Sequence, residues 1–331
     1  WIIAFLLVCA IGYGWFVFYF TYKYPNIKSD EIREKVSFSI ERGTSLYRII
    51  DILYDRRLID SKFFFYIYCV LNKHQNKFKS GDYTIYPKTK RKDLVYILQH
   101  GKAKQFKITI YEGMTLKEIA EVLHDHTPFN GKIFYELTQE GKQFKYFNKY
   151  GNLEGYLFPD TYFFDKTTNE RKLIQRMQKN FEEKLKKIKK DLNIKEIKNL
   201  NKIITMASII EKESNYDKEK PLIASVFYNR LKKKNMLQTD PTVIYAINRV
   251  REFNGNLTRK DLRMESKFNT YRVKGLPPTP ISNPGEESIK AALKPATSDY
   301  FYFVSMKNGR HYFSVTLNEH KKAIRKYLLK K

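Results

Sequence analysis

Two glutamates separated by one residue end a strongly apolar segment, NKIITMASIIEKES, which spans Asn201–Ser214. Apolar residues cover most of the circumference of this segment at helical spacing, which predicts a buried helix. A carboxyl in partly apolar surroundings is harder to ionise, so the pKa of Glu211 would rise and the group would suit general acid catalysis. Periodicity alone favours a plainer alternative, in which Glu211 and Glu213 begin an exposed polar end and pair with Lys212 or Lys218.

Other chemistry has little support in the sequence. His124 and His126 lie two residues apart without a third ligand nearby, and HExxH is absent, so no metal site is predicted. Cys69 lies in an apolar stretch without a basic neighbour, which favours a core position over a nucleophile. Neither a nucleophile elbow nor a phosphate-binding loop occurs, and no cofactor is predicted.

Several helices and a hairpin must position the two glutamates. The lysine-rich segment Lys179–Lys202 repeats apolar residues at helical spacing, which predicts an amphipathic helix with solvated lysines. Asp240 followed by Pro241 predicts a helix N-cap. The other predicted elements are a shaped loop and strand in Gly151–Phe164, helices in Lys220–Asn235, Leu237–Ile247 and Glu286–Leu293, a Pro-rich stretch Gly275–Gly285, a hairpin Tyr300–Thr316 and a helical C-terminus from Leu317.

An internal repeat precedes these elements. The segments that begin at Val36 and Phe106 align at an offset of 70 residues, and each predicts a strand, a turn at Gly43 or Gly113, and a helix. In the second copy, Thr115 has capping-box spacing to a glutamate three residues later. The first copy continues through a second helix and a closing strand, an order that resembles the LysM carbohydrate-binding module. A generic α+β unit without a ligand site is the alternative.

The first 22 residues contain no charged side chain and are long enough to cross a bilayer as a helix. A cleaved signal peptide is the alternative, but the apolar run is longer than usual and no small-x-small site closes it. We therefore expect a membrane anchor. No second run of spanning length follows, so the rest of the chain is expected on one side of the membrane.

Composition limits the class of protein. The 331 residues include 62 Lys and Arg against 35 Asp and Glu, a formal charge of +27, while 42% of the chain is hydrophobic. That apolar content excludes a wholly disordered basic tail protein. The charge raises the possibility of nucleic-acid binding, but the lysines are spread along the chain, and anionic lipids or cell-wall polymers would also attract it. No specific nucleic acid is predicted as a partner.

Six sequence blocks together carry a family resemblance. The blocks are ASIIEKES (Ala207–Ser214), LEGYLFPDTY (Leu153–Tyr162), SVFYNRL (Ser225–Leu231), LQTDPTVIYA (Leu237–Ala246), FNTYRVKGLPPTPISNPG (Phe268–Gly285) and SIKAALKPATSDYFYFV (Ser288–Val304). They closely resemble those of the membrane-anchored endolytic murein transglycosylases, and the resemblance extends from the apolar N-terminal segment to the last hairpin.

The resemblance implies that Glu211, the first glutamate of the E-K-E motif, is the catalytic acid. It would cleave the bond between N-acetylmuramic acid and N-acetylglucosamine in peptidoglycan glycan strands and leave a 1,6-anhydro end. One carboxyl is enough for this reaction, in contrast to glycosidases that pair two. A two-carboxylate hydrolase is a rival, with Glu213, Asp240 or Glu154 as the second acid.

Further side chains are expected to orient the sugar and its acetamido groups, since aromatic faces suit pyranose rings and amides or hydroxyls fix polar substituents. Each also has a purely structural alternative. Asp240 would cap a helix, Asn229 would hydrogen-bond to a loop, and Tyr156 would pack in the core. The expected substrate-binding residues are Tyr156, Glu213, Asn229, Gln238, Thr239, Asp240, Asn269 and Tyr271.

The predicted fold class is α+β, with an anchor at 1–22, a linker at 23–34, a LysM-like module at 35–101 and a catalytic domain at 102–331 whose active-site core is 150–316. The resemblance implies a single-pass protein of the bacterial inner membrane with its bulk in the periplasm, acting on nascent strands beside peptidoglycan synthases. A non-catalytic cell-wall-binding or scaffolding protein is the alternative function.

Overall fold

The computed structural model describes residues 1–26, 34–41, 43–100, 106–164 and 168–329. The chain divides into two compact units, Trp1–Phe106 with Phe163–Thr167, and Lys107–Tyr162 with Thr168–Lys331. Most of the predicted linker at 23–34 and the predicted junction at 101 lie outside the described residues. The domain limits drawn from the sequence therefore remain predictions.

The first unit contains four helices and a two-stranded sheet. Strands β1 and β2 pair antiparallel, with Val36 opposite Ile85. The order strand, helix, helix, strand is the one expected from the sequence, while its identity as a LysM module remains a prediction. The elements are α1 (Ile2–Phe18), which continues as a π-helical turn (Tyr19–Lys23), β1 (Val36–Ile40), α2 (Leu46–Asp55), α3 (Lys62–Leu71), β2 (Gly81–Ile85) and α4 (Arg91–His100).

One helix, Ala4–Lys23, has the length and apolar composition of a membrane span. Only 6% of its most apolar 18-residue stretch is buried within the protein. Its C-terminal end contacts the rest of the first unit. The ring of Phe20 packs 5.9 Å from that of Phe64, and Tyr24 packs 5.5 Å from Tyr68. The apolar helix is thus fixed to the first unit by aromatic contacts at one end.

Among the described residues the second unit is mainly helical, and its strands β5 and β6 pair antiparallel. Strands β3 and β4 pair with each other in another small sheet. The fold is therefore a mixture of helix and sheet, as predicted. From β3 onward the elements are β3 (Phe106–Thr109), α5 (Leu116–His126), α6 (Gly131–Gln139), β4 (Thr161–Phe164), α7 (Glu170–Asp191), α8 (Leu200–Glu213), α9 (Lys220–Lys232), α10 (Asp240–Asn248), α11 (Arg259–Leu262), α12 (Glu286–Leu293), β5 (Tyr302–Ser305), β6 (His311–Ser314) and α13 (Leu317–Ile324), which a π-helical turn extends to Leu329.

Helix α8 lies in the centre of the second unit's core. Its residues from Ile204 to Glu211 are all buried, and helices α7, α9, α10 and α12 supply residues to the same apolar cluster. The predicted burial of this helix is confirmed. Because the helix is enclosed on nearly all sides, the position of the polar residues at its C-terminal end is fixed by packing.

Local signals in the sequence set several element boundaries, with two exceptions. The lysine-rich helix predicted over Lys179–Lys202 instead runs from Glu170 to Asp191 as α7, and α8 begins at Leu200. Thr115 forms the expected capping box with Glu118, and Gly113 has the positive φ of +79° that its turn requires. Helix α10, however, begins at Asp240 itself, so the cap is Thr239 and not Asp240. The Thr239 hydroxyl accepts no capping bond, and it donates a hydrogen bond to Glu213.

Gly155 shows how tightly the loop before β4 is packed. Its φ is +91°, and a Cβ placed there would lie 2.5 Å from Cγ of Pro280 and 2.9 Å from Cγ2 of Ile204. We expect Gly155→Ala to lower the free energy of unfolding by roughly 2–4 kcal/mol through backbone strain and overpacking. Gly255→Ala is the matched control, since its φ is +84° but nothing lies within 4 Å. Urea unfolding of both variants checks this, and equal losses would contradict it.

Candidate active site

Glu211 and Glu213 leave helix α8 in different directions. Successive residues of an α-helix are rotated by about 100°, so side chains two positions apart point to nearly opposite sides. The structure gives them separate surroundings. Glu213 lines an open cavity, whereas Glu211 lies in a buried cluster of charges.

The cavity beside Glu213 has a volume of about 430 Å³. Four of the residues expected from the sequence to contact substrate line it, namely Glu213, Gln238, Asp240 and Tyr271. Aromatic and aliphatic side chains complete the wall, together with two basic groups that the sequence analysis did not select. These additional residues are Phe227, Arg230, Leu237, Tyr302, Phe303, Val304, Leu317, His320, Ile324 and Leu328.

Burial raises the pKa of Glu213 to about 7, and the negative charge of Asp240 contributes in the same direction. The hydrogen bond from the Thr239 hydroxyl and the positive charge of Arg230 oppose that rise. A carboxyl with this pKa is about half protonated at neutral pH. It can therefore donate a proton and accept one back, as a general acid and base must.

The turn before α10 places several polar groups around Glu213. Gln238 has a φ of +50°, a region that non-glycine residues seldom occupy, and its backbone N–H donates to the carbonyl oxygen of Thr270 at 3.1 Å. The next backbone N–H, of Thr239, donates to the Thr270 hydroxyl at 3.1 Å. The strained backbone is thus held by a neighbouring segment, and strain of this kind is often found at functional sites.

Two more groups of the cavity are fixed by hydrogen bonds. The Tyr271 hydroxyl donates to Oδ1 of Asp240 at 2.6 Å. Arg230 donates to the carbonyl oxygens of Phe301 and Leu237, each at 2.7 Å, and its guanidinium lies 5.1 Å from the centre of the Tyr302 ring. The cavity therefore presents ordered polar and aromatic groups beside the titrating carboxyl.

Glu211 has a different environment from the apolar one expected. Its side chain is 4% exposed, and its Oε1 accepts a hydrogen bond of 2.9 Å from Nζ of Lys220, whose side chain is 1% exposed. Its Oε2 accepts one of 2.8 Å from the backbone N–H of Gly285. The partners suggested by the sequence, Lys212 and Lys218, are replaced by Lys220, which also pairs with Asp217 at 2.8 Å. Both oxygens of Glu211 are thus committed to charge-assisted bonds within the protein.

Glu112 is a further carboxyl at this cluster. It lies against Gly285, since a Cβ on that glycine would fall 1.8 Å from Oε1 of Glu112. Burial and the nearby charge of Glu211 raise the pKa of Glu112. The cluster on this side of α8 therefore contains three carboxyls, of Glu112, Glu211 and Asp217, against the one buried ammonium of Lys220.

Three residues expected to bind substrate lie in the scaffold. Tyr156 is 1% exposed and packs against Phe181 in the core. The Asn229 amide donates to the carbonyl oxygens of Ser298 and Tyr300, at 2.8 and 2.9 Å. The Asn269 amide, fully buried, donates to two carbonyl oxygens of the 262–264 segment. The structure does not bring these three side chains to the cavity wall beside Glu213.

Glu154 lines a separate cavity of about 470 Å³ with Tyr245 and Arg249. Burial raises the pKa of Glu154 to about 8. Its oxygens accept from the backbone N–H of Leu116 and the Tyr245 hydroxyl, each at 3.1 Å, and from the Asn283 amide at 3.3 Å. These bonds join loop and helix segments, so Glu154 is not a neighbour of Glu213 in one cavity.

Among the described ranges, no group of three His, Cys, Asp or Glu side chains is arranged to hold a metal ion. Cys69 is buried, and burial raises the pKa of its thiol to about 12, which disfavours the nucleophilic thiolate.

Sequence reasoning did not select Lys220, Arg230, Glu112 or His320. Lys220 and Arg230 both lie in helix α9 among other basic residues. The sequence alone does not show which of these basic side chains is buried and which is solvated. Glu112 belongs to the turn of the second repeat, and its close approach is to Gly285, which is distant in the sequence.

Comparisons with known proteins agree on one family. The model of the YceG-like family matches residues 38–326. The endolytic murein transglycosylase of Bacillus subtilis is 38% identical, over 89% of this chain and 86% of that protein. The enzyme of the same name from Streptococcus pneumoniae strain D39 is 26% identical over 99% of this chain, which spans 65% of that protein's length. A crystal structure of a yceG-like protein from Listeria monocytogenes is similar with a TM-score of 0.57 and 36% identity, over 88% of this chain and all of that one.

Proposed function

Because the chain belongs to the YceG-like family, we propose that it is a lytic transglycosylase that cleaves murein glycan strands internally, with Glu213 as its general acid and base. The observation that carries the proposal is the cavity in which a carboxyl of pKa about 7 meets Gln238, Asp240 and Tyr271. The relatives named endolytic murein transglycosylase supply the substrate class and the reaction type. The sequence resemblance assigned the acid to Glu211, and the cavity geometry favours Glu213.

The reaction requires one carboxyl that first gives a proton and then takes one. Protonated Glu213 would donate its proton to the glycosidic oxygen between N-acetylmuramic acid and N-acetylglucosamine as the bond to the muramyl C1 breaks. The resulting Glu213 carboxylate would then remove the proton from the muramyl C6 hydroxyl as its oxygen bonds to C1. The product is a 1,6-anhydro end, no water is consumed, and Glu213 is again protonated.

The surrounding groups have distinct roles in this proposal. The rings of Tyr271, Tyr302 and Phe303 offer faces for pyranose rings, and Gln238 offers an amide for an acetamido group. Burial is the main cause of the raised pKa of Glu213, and the charges of Asp240 and Arg230 act on that pKa in opposite senses. Glu211 supports α8 from the buried side and has no contact with the cavity in this account.

Digestion of purified sacculi with the wild-type chain tests the function. We expect soluble fragments with 1,6-anhydromuramyl ends, identified by mass spectrometry. A cell-wall-binding protein without activity would release none, and that outcome would refute the proposal.

A two-carboxylate hydrolase is a second candidate, because Asp240 lines the same cavity as Glu213 and contributes to its raised pKa. Such an enzyme would leave reducing muramyl ends, since water would attack C1. The ratio of anhydro to reducing ends in the same digest separates the two reactions. Reducing ends in majority would favour the hydrolase.

The pH dependence of the reaction follows from the direction of the Glu213 shift. A general acid must be protonated, so kcat/KM should fall about tenfold per pH unit above the pKa of about 7. Asp240→Asn removes a charge that raises this pKa, so its descending limb should move to lower pH. Initial rates of glycan cleavage from pH 5 to 9 measure the descending limb of the wild type and that of Asp240→Asn. A wild-type rate that stays constant to pH 9 would contradict the assignment.

We further propose that Ala4–Lys23 anchors the protein as a single span in the cytoplasmic, or inner, membrane, with the remaining chain on the periplasmic side. The length and apolar surface of this helix support the anchor. In this arrangement the remaining chain, including the LysM-like region at 35–101, would lie close to glycan strands and to the synthases that make them. Protease digestion of intact spheroplasts tests the orientation, and protection of the whole chain would overturn it.

A further inference from the structure

The C-terminal helix supplies part of the cavity wall beside Glu213. Leu317, His320, Ile324 and Leu328 of α13 and its π-helical extension all line that cavity. Three of these side chains are aliphatic, so His320 is the polar group that this segment presents there. The segment is tied back at its end, where Nζ of Lys307 donates to the carbonyl oxygen of Leu328 at 3.2 Å.

His320 is held in a defined orientation. Its ring stacks on Tyr302 with centres 5.1 Å apart and planes inclined by 22°. Its Nδ1 is buried without a hydrogen-bond partner among the described residues. The Tyr302 ring on which His320 stacks lines the same cavity.

The two ring nitrogens of His320 differ in which one carries the proton. Burial and the positive charge of Arg230 lower the pKa of His320, so the imidazole is neutral at neutral pH and carries one proton. A buried N–H without a partner is rarer in proteins than a buried acceptor without one. The buried, unpartnered Nδ1 therefore favours the tautomer with the lone pair at Nδ1 and the proton at Nε2.

We propose that His320 is a substrate-binding residue that donates a hydrogen bond from Nε2–H to an acceptor oxygen of the glycan, an acetamido carbonyl or a sugar hydroxyl. The inference rests on the proposed function and adds a binding group to the same cavity. It gives the C-terminal helix a direct part in recognition. Arg230 also lines the cavity, and its guanidinium gives two of its five N–H groups to backbone carbonyls.

Binding to a variant that cannot turn over tests the proposal without relying on catalysis. The probe is a peptide-free tetrasaccharide of alternating N-acetylglucosamine and N-acetylmuramic acid, titrated by calorimetry into the full chain carrying Glu213→Gln. Adding His320→Phe keeps an aromatic ring on Tyr302 but removes the donor, and should raise Kd about 3- to 10-fold. Adding His320→Gln returns an N–H near the same place and should recover most of that loss. His126→Phe, at an exposed position on α5, is the matched control and should leave Kd unchanged.

The outcomes separate this inference from the proposed function. If the Glu213→Gln chain binds the tetrasaccharide and His320→Phe leaves Kd unchanged, the role of His320 is refuted and the function stands. A His320→Gln variant as weak as His320→Phe also refutes the donor role, because ring packing would then explain the loss. If the Glu213→Gln chain does not bind the tetrasaccharide, the glycan assignment fails, and the contact from His320 fails with it.

Discussion

Glu213→Gln is expected to lower kcat for glycan cleavage by about 10²- to 10⁴-fold, the range associated with loss of a general acid or base. Glutamine has nearly the same shape and can still accept the hydrogen bond from Thr239, so the cavity should keep its form. What it cannot do is give a proton to the glycosidic oxygen or take one from the C6 hydroxyl. Affinity for uncleaved glycan should therefore change little while turnover is lost.

Single-turnover rates and thermal unfolding of the same Glu213→Gln preparation check this prediction. The unfolding temperature should match that of the wild type within a few degrees, which excludes misfolding as the cause. A variant that unfolds normally and keeps a kcat within about threefold of wild type would remove Glu213 from the chemistry.

Lys220→Met is expected to cause the largest loss of stability. It leaves the carboxylate of Glu211 buried without its ammonium partner, and breaking a buried pair in this way costs about 3–5 kcal/mol. For a unit of this size the loss corresponds to a fall in unfolding temperature of roughly 6–20 °C. Circular dichroism of the chain in detergent measures it.

Two matched variants define the cause of that loss. Glu211→Gln should cost less than Lys220→Met, because Lys220 would keep its pair with Asp217, which is 59% exposed and remains solvated. Glu211→Met with Lys220→Met should recover much of the stability, since replacing both partners of a buried pair by apolar groups is often neutral. If Lys220→Met costs less than about 1 kcal/mol, the pair is not the support for α8 described above.

Much of the second unit could be predicted because its signals are local. The apolar periodicity of α8, the capping box at Thr115 and the glycine turn at Gly113 each depend on a few neighbouring residues, and the structure has all three. The lysine-rich helix α7 also buries the face that its spacing predicted, with Phe181, Leu185 and Ile188 inside.

The different roles proposed for Glu211 and Glu213 could not be predicted from the sequence. Both follow the same apolar run, and two residues of spacing place them on opposite sides of a helix that is packed all round. Which side faces a cavity depends on the turn before α10, which donates to Glu213, and on the start of α9, which places Lys220 against Glu211. These are tertiary relations between separate segments.

The same limit applies to the amide side chains. Asn229 and Asn269 occur in polar, motif-like blocks that suggest sugar binding, yet each amide is used by two backbone carbonyls of neighbouring loops. Buried carbonyl groups need donors, and an asparagine can supply two at once. Composition does not show whether an asparagine serves the scaffold or a ligand.

The most direct test compares Glu213→Gln and Glu211→Gln for release of 1,6-anhydromuramyl fragments from sacculi, normalised to folded protein. We expect Glu213→Gln to release almost none, while Glu211→Gln, though less stable, keeps activity within a few-fold of the wild type at a temperature where it is folded. The opposite pattern, with Glu211→Gln folded and inactive and Glu213→Gln active, would return the catalytic role to Glu211 and refute the role proposed for Glu213.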